Sequence, residues 1–186
     1  APMLTGANTT LFGVSIPPEH LEHIDRYTAE FIDKLEEVAL AALADRKPAT
    51  LSWTVGSVGF SKNRRPQGGP IDHDLPMLVA KSPDGAIRAV YVSYACHCVT
   101  LSLNEISGDW AGYAQAQIEA NYPGAIAMVA IGCGADTNPI PGVQGDRIDV
   151  AESQGKEIAD EVDRLLKTPL KPLSGELTTA VREVQL

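Results

Sequence analysis

Two polar segments of this 186-residue chain contain residue types that hydrolytic or metal chemistry needs. Residues 95–100 place His97 between two cysteines, and residues 132–139 contain Asp136 and Asn138. Each segment ends or follows an apolar run that is typical of a strand. Ligands of open α/β sheets bind in the crevice beyond the carboxyl ends of the strands. We therefore expect both segments to lie at such a crevice.

His97 has the clearest chemical use of these residues. An imidazole can act as a general base or bind zinc, although one histidine alone makes no metal site. As a strand residue, its ring would point away from Cys96 and Cys98, so the three side chains cannot bind one metal ion together. A hydrogen-bonded core histidine is the alternative interpretation.

Four further residues have both a chemical and a structural interpretation. Asp136 and Asn138 lie in a glycine-rich loop whose backbone can approach a ligand, or they form turn bonds with their own backbone. The planar guanidinium of Arg64 can bind an oxyanion or a carboxylate, or it can lie in solvent. Asp109 begins a predicted helix, where capping is its alternative role.

The elements that must position these residues alternate along the chain. Apolar residues at steps of three or four predict helices over residues 17–45, 109–121 and 147–167. Alternating or wholly apolar runs predict strands over residues 51–55, 75–81, 86–99 and 125–131, and a last strand at Leu177, Thr179 and Val181. We expect strands 86–99 and 125–131 in the middle of the sheet, and loops over residues 1–15, 61–70 and 132–145. The pattern predicts a single α/β domain over residues 1–186, with a mixed β-sheet covered by helices.

Composition and missing motifs exclude several functions. The chain has 15 Lys and Arg against 24 Asp and Glu, a net charge of −9 with no basic stripe for nucleic acid. The longest apolar run, residues 125–131, is too short to be a transmembrane segment. Nucleotide-binding enzymes and the common serine hydrolases are disfavoured because their glycine-rich and Gly-x-Ser-x-Gly motifs are missing.

Four segments, taken in order, resemble the N-terminal catalytic domain of the neutral/alkaline, non-lysosomal ceramidase family. They are Asn-Arg-Arg-Pro at 63–66, Tyr-Ala-Cys-His-Cys-Val-Thr at 94–100, Ile-Ser-Gly-Asp-Trp-Ala-Gly-Tyr-Ala at 106–114, and Gly-Cys-Gly-Ala-Asp-Thr-Asn-Pro at 132–139. The resemblance covers residues 51–139 well and is closer to uncharacterised bacterial relatives than to true ceramidases. It implies a hydrolase of amide bonds in N-acyl lipids.

The resemblance also implies site residues and a cofactor. It implies a zinc ion with His97 as one ligand, and an Arg64 that stabilises the oxyanion. Asn138 replaces a family serine; its amide is no nucleophile, but it can donate a hydrogen bond to an oxyanion. The catalytic residues are thus Arg64, His97 and Asn138, and the substrate-binding residues are Asn63, Asp109, Asp136 and Thr137. The family's other zinc ligands belong to segments outside this sequence, so we expect a fragment with an incomplete zinc site.

Three functions follow as hypotheses. The first is a zinc-assisted hydrolase that cleaves an amide or ester bond of a small, acylated, lipid-like molecule. The second is a metal-independent esterase with His97 as general base and Cys133 or Thr137 as the nearest nucleophile. The third is an inactive fragment that binds a partner or forms a homo-oligomer through an open sheet edge. The resemblance alone implies a secreted or periplasmic location.

Overall fold

The computed structural model describes residues 16–176 and 178–184, and the chain divides into two compact units, residues 1–47 and 48–186. In the first unit, helix α1 spans Pro18–Ala44 and begins with a proline, whose missing N–H costs nothing there. The predicted apolar stripe is present, but no residue of the helix is buried. The predicted loop over residues 1–15 lies outside the described residues. One domain over residues 1–186 stays a prediction.

The described part of the second unit combines a five-stranded sheet, a two-stranded sheet and two helices. Its elements are β1 (Thr50–Ser57), β2 (Ser61–Asn63), β3 (Asp74–Lys81), β4 (Ile87–Tyr94), α2 (Asp109–Asn121), β5 (Ile126–Ile131), β6 (Thr137–Pro139), α3 (Ile148–Leu166) and β7 (Lys171–Leu173). The larger sheet has the order β5-β4-β3-β1-β7, and β2 pairs with β6. Only β4 and β5 are parallel among these pairs, and they are joined through α2. The predicted α/β class with a mixed sheet is confirmed.

Helices α2 and α3 cover one face of the larger sheet. The buried side chains of that face and of the two helices include Leu75, Met77, Val79, Val90, Val92, Trp110, Ile118, Ile158 and Val162. Gly155 lets the helices approach closely, because a Cβ there would lie 2.6 Å from the Cβ of Tyr113. Each fully buried large apolar side chain contributes about 1.5–3 kcal/mol, so this layer supplies the core. No helix of residues 16–176 or 178–184 is long and apolar enough to cross a membrane.

The opposite face of the sheet is also apolar, but it is exposed. Trp53, Leu78, Tyr91 and Met128 are cross-strand neighbours in one row across four strands. Tyr91 and Met128 are 39% and 44% exposed, and the Lys171 ammonium lies 4.9 Å from the centre of the Trp53 ring. A sheet face that meets water normally carries polar residues at alternate positions. In this row, all four positions that should be polar are apolar instead.

Two predictions about the central strands need correction. Strand β4 ends at Tyr94 rather than at residue 99, because the Cys96 N–H donates to the Tyr94 carbonyl at 2.9 Å and the backbone leaves the ladder. Among the described residues, strand β5 lies at the edge of the sheet, although its apolar run predicted a central position. Ile126 of β5 is 62% exposed. The residues of β5 are apolar on both faces of the strand because one face packs in the core and the other belongs to the exposed apolar face of the sheet.

Two of the three predicted loops contain a short strand, and the predicted last strand is misplaced. Residues 61–70 contain β2 and residues 132–145 contain β6, and each strand is the other's partner. Three-residue strands have no readable period, so only their pairing defines them. Thr179 and Val181 form no strand, and Leu177 lies outside the described residues. Strand β7 instead pairs with β1.

Candidate functional site

The candidate site is built where the loops after β4 and β5 meet. Because these strands are parallel, their carboxyl ends lie at the same edge of the sheet. The Gly132 N–H donates to the Tyr94 carbonyl at 2.9 Å and ties the two loops together. A Cβ on Gly134 would lie 2.6 Å from the backbone of Ala95 and of Cys96. Glycine at 134 is therefore required for the loops to touch.

Arg64 and His97 converge on a single backbone oxygen, the carbonyl of Ala135. The Arg64 guanidinium donates to it from Nη2 at 2.8 Å and from Nε at 3.2 Å. The His97 Nε2 lies 3.4 Å from the same oxygen. The Arg64 backbone N–H donates to the Asp136 carbonyl at 2.7 Å, and the His97 backbone N–H donates to the Thr137 carbonyl at 3.0 Å. Two residues that are 33 positions apart are thus fixed by one loop.

Asn63, Asp136 and Thr137 form a polar network beside this oxygen. The Asn63 amide donates to Asp136 Oδ2 at 2.8 Å, and the Thr137 hydroxyl donates to Asp136 Oδ1 at 3.2 Å. Asn63 also accepts the Arg65 backbone N–H at 2.9 Å. Both carboxylate oxygens of Asp136 therefore have side-chain partners, whereas the turn interpretation predicted bonds with the backbone. Substrate binding by these three residues stays a prediction.

Asn138 lies on β6, opposite Lys62 of β2. Its side chain is partly buried, and its Oδ1 atom is buried without a hydrogen-bond partner among the described residues. A buried acceptor without a partner costs about 1–3 kcal/mol. The site therefore contains an acceptor that a bound N–H or O–H group would satisfy.

Asp109 is buried, and its carboxylate binds backbone N–H groups near the site rather than the side chains of the site. Its carboxylate accepts the Leu101 N–H at 2.8 Å and the Trp110 N–H at 2.7 Å. The Trp110 indole N–H then donates to the His97 carbonyl at 3.0 Å. Gly108, rather than Asp109, is the residue that precedes the helix, and it has no capping side chain. The role of Trp110 was not predicted from the sequence, because a tryptophan beside an acidic residue gives no signal for it.

The cysteines next to His97 are unreactive in this fold. Burial, with smaller contributions from the thiol of Cys98 and the charge of Asp109, raises the pKa of Cys96 to about 12. Burial, followed by the charge of Asp109, raises the pKa of Cys98 to about 11. Both thiols are protonated at neutral pH, and a thiolate is the form that attacks or binds metal. Cys133 is exposed.

The described residues do not fit a zinc site by themselves. No group of three His, Cys, Asp or Glu side chains within residues 16–176 and 178–184 is arranged to hold a metal ion. The ring of His97 instead shares a carbonyl oxygen with the cationic Arg64. Catalytic zinc takes three protein ligands, so His97 as a zinc ligand stays a prediction.

One cavity of the second unit lies away from this cluster. It has a volume of about 590 Å³ and is lined by residues of α2 and α3, among them Tyr113, Gln117, Asp149 and Lys156. None of the predicted site residues lines it. Of the predicted site residues, Arg64 is exposed, four are partly buried, and Asp109 and Thr137 are buried.

Comparisons with known proteins agree with this architecture at the level of the fold. The solved structure of neutral ceramidase from Pseudomonas aeruginosa matches with a TM-score of 0.61 at 20% sequence identity. A structure described as ceramidase complexed with C2 matches with a TM-score of 0.62 at 20% identity. The chain has a ceramidase-like fold. Each match covers 70% of this chain and 24% of the ceramidase chain, so the similarity concerns about a quarter of those proteins.

Comparison with models of protein families found no match, and neither did comparison with curated protein sequences.

Proposed function

We propose that the cluster around the Ala135 carbonyl is the active site of a hydrolase that cleaves an amide or ester bond of an acylated, lipid-like substrate. The observation that supports this proposal is the convergence of Arg64 and His97 on one carbonyl oxygen. Acyl hydrolysis needs a cation at the carbonyl oxygen and a base for the attacking water. The Arg64 guanidinium supplies the cation and the His97 imidazole supplies the base, and both groups contact the same carbonyl oxygen.

Arg64 has the geometry and the exposure to act on a substrate. Its side chain is exposed, and two of its N–H groups bind Ala135, which leaves others free to bind a second oxygen. During hydrolysis the carbonyl oxygen of the substrate takes up the electron pair of the C=O bond as water attacks its carbon. Arg64 stabilises that oxyanion, and the Asn138 amide adds a neutral donor.

His97 acts as the base in this scheme. Its Nε2 accepts a proton from the attacking water as the new C–O bond forms, and it returns that proton to the leaving nitrogen or oxygen as the old bond breaks. The distance of 3.4 Å to the Ala135 oxygen is long for a hydrogen bond. A carbonyl oxygen only accepts, so this contact requires a hydrogen on Nε2. To act as the base, the ring exchanges the contact for a water molecule and carries its hydrogen on Nδ1, which leaves the Nε2 lone pair free to take the proton.

Zinc is the part of the proposal that the described residues do not complete. The family resemblance implies zinc, and His97 is the one described ligand that the resemblance assigns to it. Zinc-assisted hydrolysis thus requires ligands beyond the described residues. No step above depends on the metal.

The experiment that tests the proposal is hydrolysis by the full chain of a fluorogenic N-acyl amide and of the corresponding acyl ester, with zinc and with a chelator. His97→Gln is expected to lower kcat by about 10²–10⁴-fold, the usual value of a general base. Arg64→Gln is expected to lower it by about 10²–10³-fold, the loss that follows removal of an oxyanion donor. Arg65→Gln is the matched control, because its exposed side chain neighbours Arg64 in sequence.

The proposal fails if the chain hydrolyses neither substrate under any of these conditions. It fails equally if His97→Gln keeps the activity of the unmodified chain, since the base would then be another group.

A covalent route through a side-chain nucleophile has a clear candidate. The Thr137 side chain is buried, and its hydroxyl donates to Asp136, whereas the Cys133 side chain is exposed. The structure therefore favours Cys133 over Thr137 for this route. Chelator-resistant ester hydrolysis that disappears in Cys133→Ala would identify it, and unchanged hydrolysis in that variant would exclude it.

Self-association is a second candidate function, favoured by the exposed apolar row of the sheet. A second copy of the chain could cover this face by packing its own sheet face against it. Tyr91→Lys places a charge in the centre of the row, and Ile106→Lys makes the same change at a fully exposed position outside the sheet. Light scattering should detect a concentration-dependent dimer that Tyr91→Lys alone disrupts. A monomer at all concentrations would exclude this function.

A further inference from the structure

The start of helix α2 contains a strained residue. Asp109 has a φ of 51°, in the left-handed region that non-glycine residues rarely adopt, and it is 5% exposed. Such a conformation costs about 1–3 kcal/mol and persists only where the surroundings impose it. Here the conformation lets one carboxylate accept the N–H groups of Leu101 and Trp110. The Asp109 carboxylate therefore connects the end of the loop that contains His97 to the first turn of α2.

Trp110 extends this connection to His97 itself. Its indole N–H donates to the His97 carbonyl at 3.0 Å. The indole ring is fully buried and packs edge-on against Phe60 and Tyr94, with ring centroids 5.4 Å and 5.7 Å away. A donor held in this way cannot move without disturbing the core. The position of the His97 backbone is thus set by a rigid group outside the site.

The two backbone groups of His97 are held from opposite sides. Its carbonyl is bound by Trp110 of α2, and its N–H donates to the Thr137 carbonyl in the loop after β5. Among the residues that the structure describes, the ring has only the long contact of 3.4 Å with the Ala135 oxygen. The placement of the imidazole therefore depends on the backbone rather than on bonds of the ring.

We propose that Trp110 and Asp109 are positioning residues, which hold the His97 backbone so that the imidazole faces Arg64 and the Ala135 oxygen. This inference rests on the proposed hydrolase function for its catalytic consequence. It reassigns Asp109, which the sequence placed in substrate binding, to a role that acts through its neighbours. Neither residue touches the substrate in this scheme.

The test replaces the indole donor and keeps an aromatic ring. Trp110→Phe retains a ring between Phe60 and Tyr94 but removes the N–H that binds His97. Trp53→Phe is the matched control, because it makes the same change on the other face of the sheet. The first readout is hydrogen exchange at the His97 amide measured by NMR, which needs no activity.

The His97 N–H keeps its bond to the Thr137 carbonyl in Trp110→Phe, but local opening of this segment no longer has to break the Trp110 bond to the His97 carbonyl. We therefore expect exchange at the His97 amide to accelerate by up to about tenfold. Exchange at the core amides Val90 and Val92 of β4 reports the global effect of the smaller ring, and it should be accelerated clearly less than exchange at His97. Trp53→Phe should leave the His97 amide unchanged. Asp109→Asn, whose side chain tolerates a positive φ, replaces one carboxylate acceptor and should also accelerate exchange at His97.

Kinetics give the second readout. If the proposed hydrolysis is observed, Trp110→Phe should lower kcat by about tenfold or more with little change in KM, because a misplaced base affects the chemical step. Unchanged exchange at His97 would overturn the positioning role, and so would equal acceleration at Val90 and Val92. A chain without hydrolytic activity would refute the hydrolase proposal alone, since the exchange result decides the positioning role separately.

Discussion

Gly134→Ala tests the contact between the two loops that form the site. A Cβ at position 134 would lie 2.6 Å from the carbonyl carbon of Ala95 and from the nitrogen of Cys96, and 2.9 Å from the oxygen of Ala95. All three are backbone atoms, so no side chain can turn aside to make room. The loop after β5 must move away, and the contacts of Ala135 with Arg64 and His97 should weaken with it.

The magnitude follows from the overlap. Inserting a methyl group into packed backbone costs about 1–3 kcal/mol. In a protein of this size, 1 kcal/mol changes Tm by about 2–4 °C. The expected decrease in Tm is therefore between about 2 and 12 °C, measured by circular dichroism during heating.

Gly112→Ala is the matched control for this prediction. Gly112 lies inside helix α2, and a Cβ there would meet no atom within 4 Å. Alanine should therefore raise the free energy of unfolding by about 0.5–1 kcal/mol, the usual gain in a helix interior. A Gly134→Ala variant as stable as the unmodified chain would refute the close approach of the loops.

Two further predictions concern titratable groups. At about pH 8, iodoacetamide should modify the exposed Cys133 first, and mass spectrometry should find Cys96 and Cys98 unmodified. The pKa values of Cys96 and Cys98 are about 12 and 11, so at most about one such thiol in a thousand is ionised at this pH. Comparable labelling of all three cysteines would contradict the burial of Cys96 and Cys98. The hydrogen bond from Arg164 lowers the pKa of Glu161 from 4.5, so its carboxylate stabilises the fold above about pH 4.5, and this contribution is lost as the pH falls through the lowered pKa. Glu161→Gln should therefore unfold at lower urea concentration than the unmodified chain at about pH 7, and a difference that persists at about pH 2 would contradict the assignment.

Helical and long-strand segments could be predicted because their periodicity is a local property. The spacing of apolar residues predicted α3 over 147–167, and the structure has it at Ile148–Leu166. The alternation predicted a strand over 75–81, and β3 spans Asp74–Lys81. Burial on one face of an element leaves its period in the sequence. These elements therefore needed no tertiary information.

Residues of the site could be predicted by type but not by partner. The sequence indicated Arg64, His97 and Asp136 from their chemistry, and the structure brings them together around the 134–138 loop. The oxygen that Arg64 and His97 share belongs to Ala135, whose side chain has no polar chemistry to indicate it. Trp110 was likewise not predicted, since its indole finds the His97 carbonyl only after α2 packs on the sheet.

By itself, the amino-acid sequence determined the α/β class, most element positions and the chemical types gathered at one end of the sheet. Only the tertiary structure decided that β5 is an edge strand among the described residues, that β2 pairs with β6, and that the Asp109 carboxylate binds backbone N–H groups. The physical reason is that the spacing of apolar residues and the helix or strand propensity depend only on residues close together in the chain. Strand order, the pairing of three-residue strands and the choice of a hydrogen-bond partner depend instead on contacts between residues far apart in the chain.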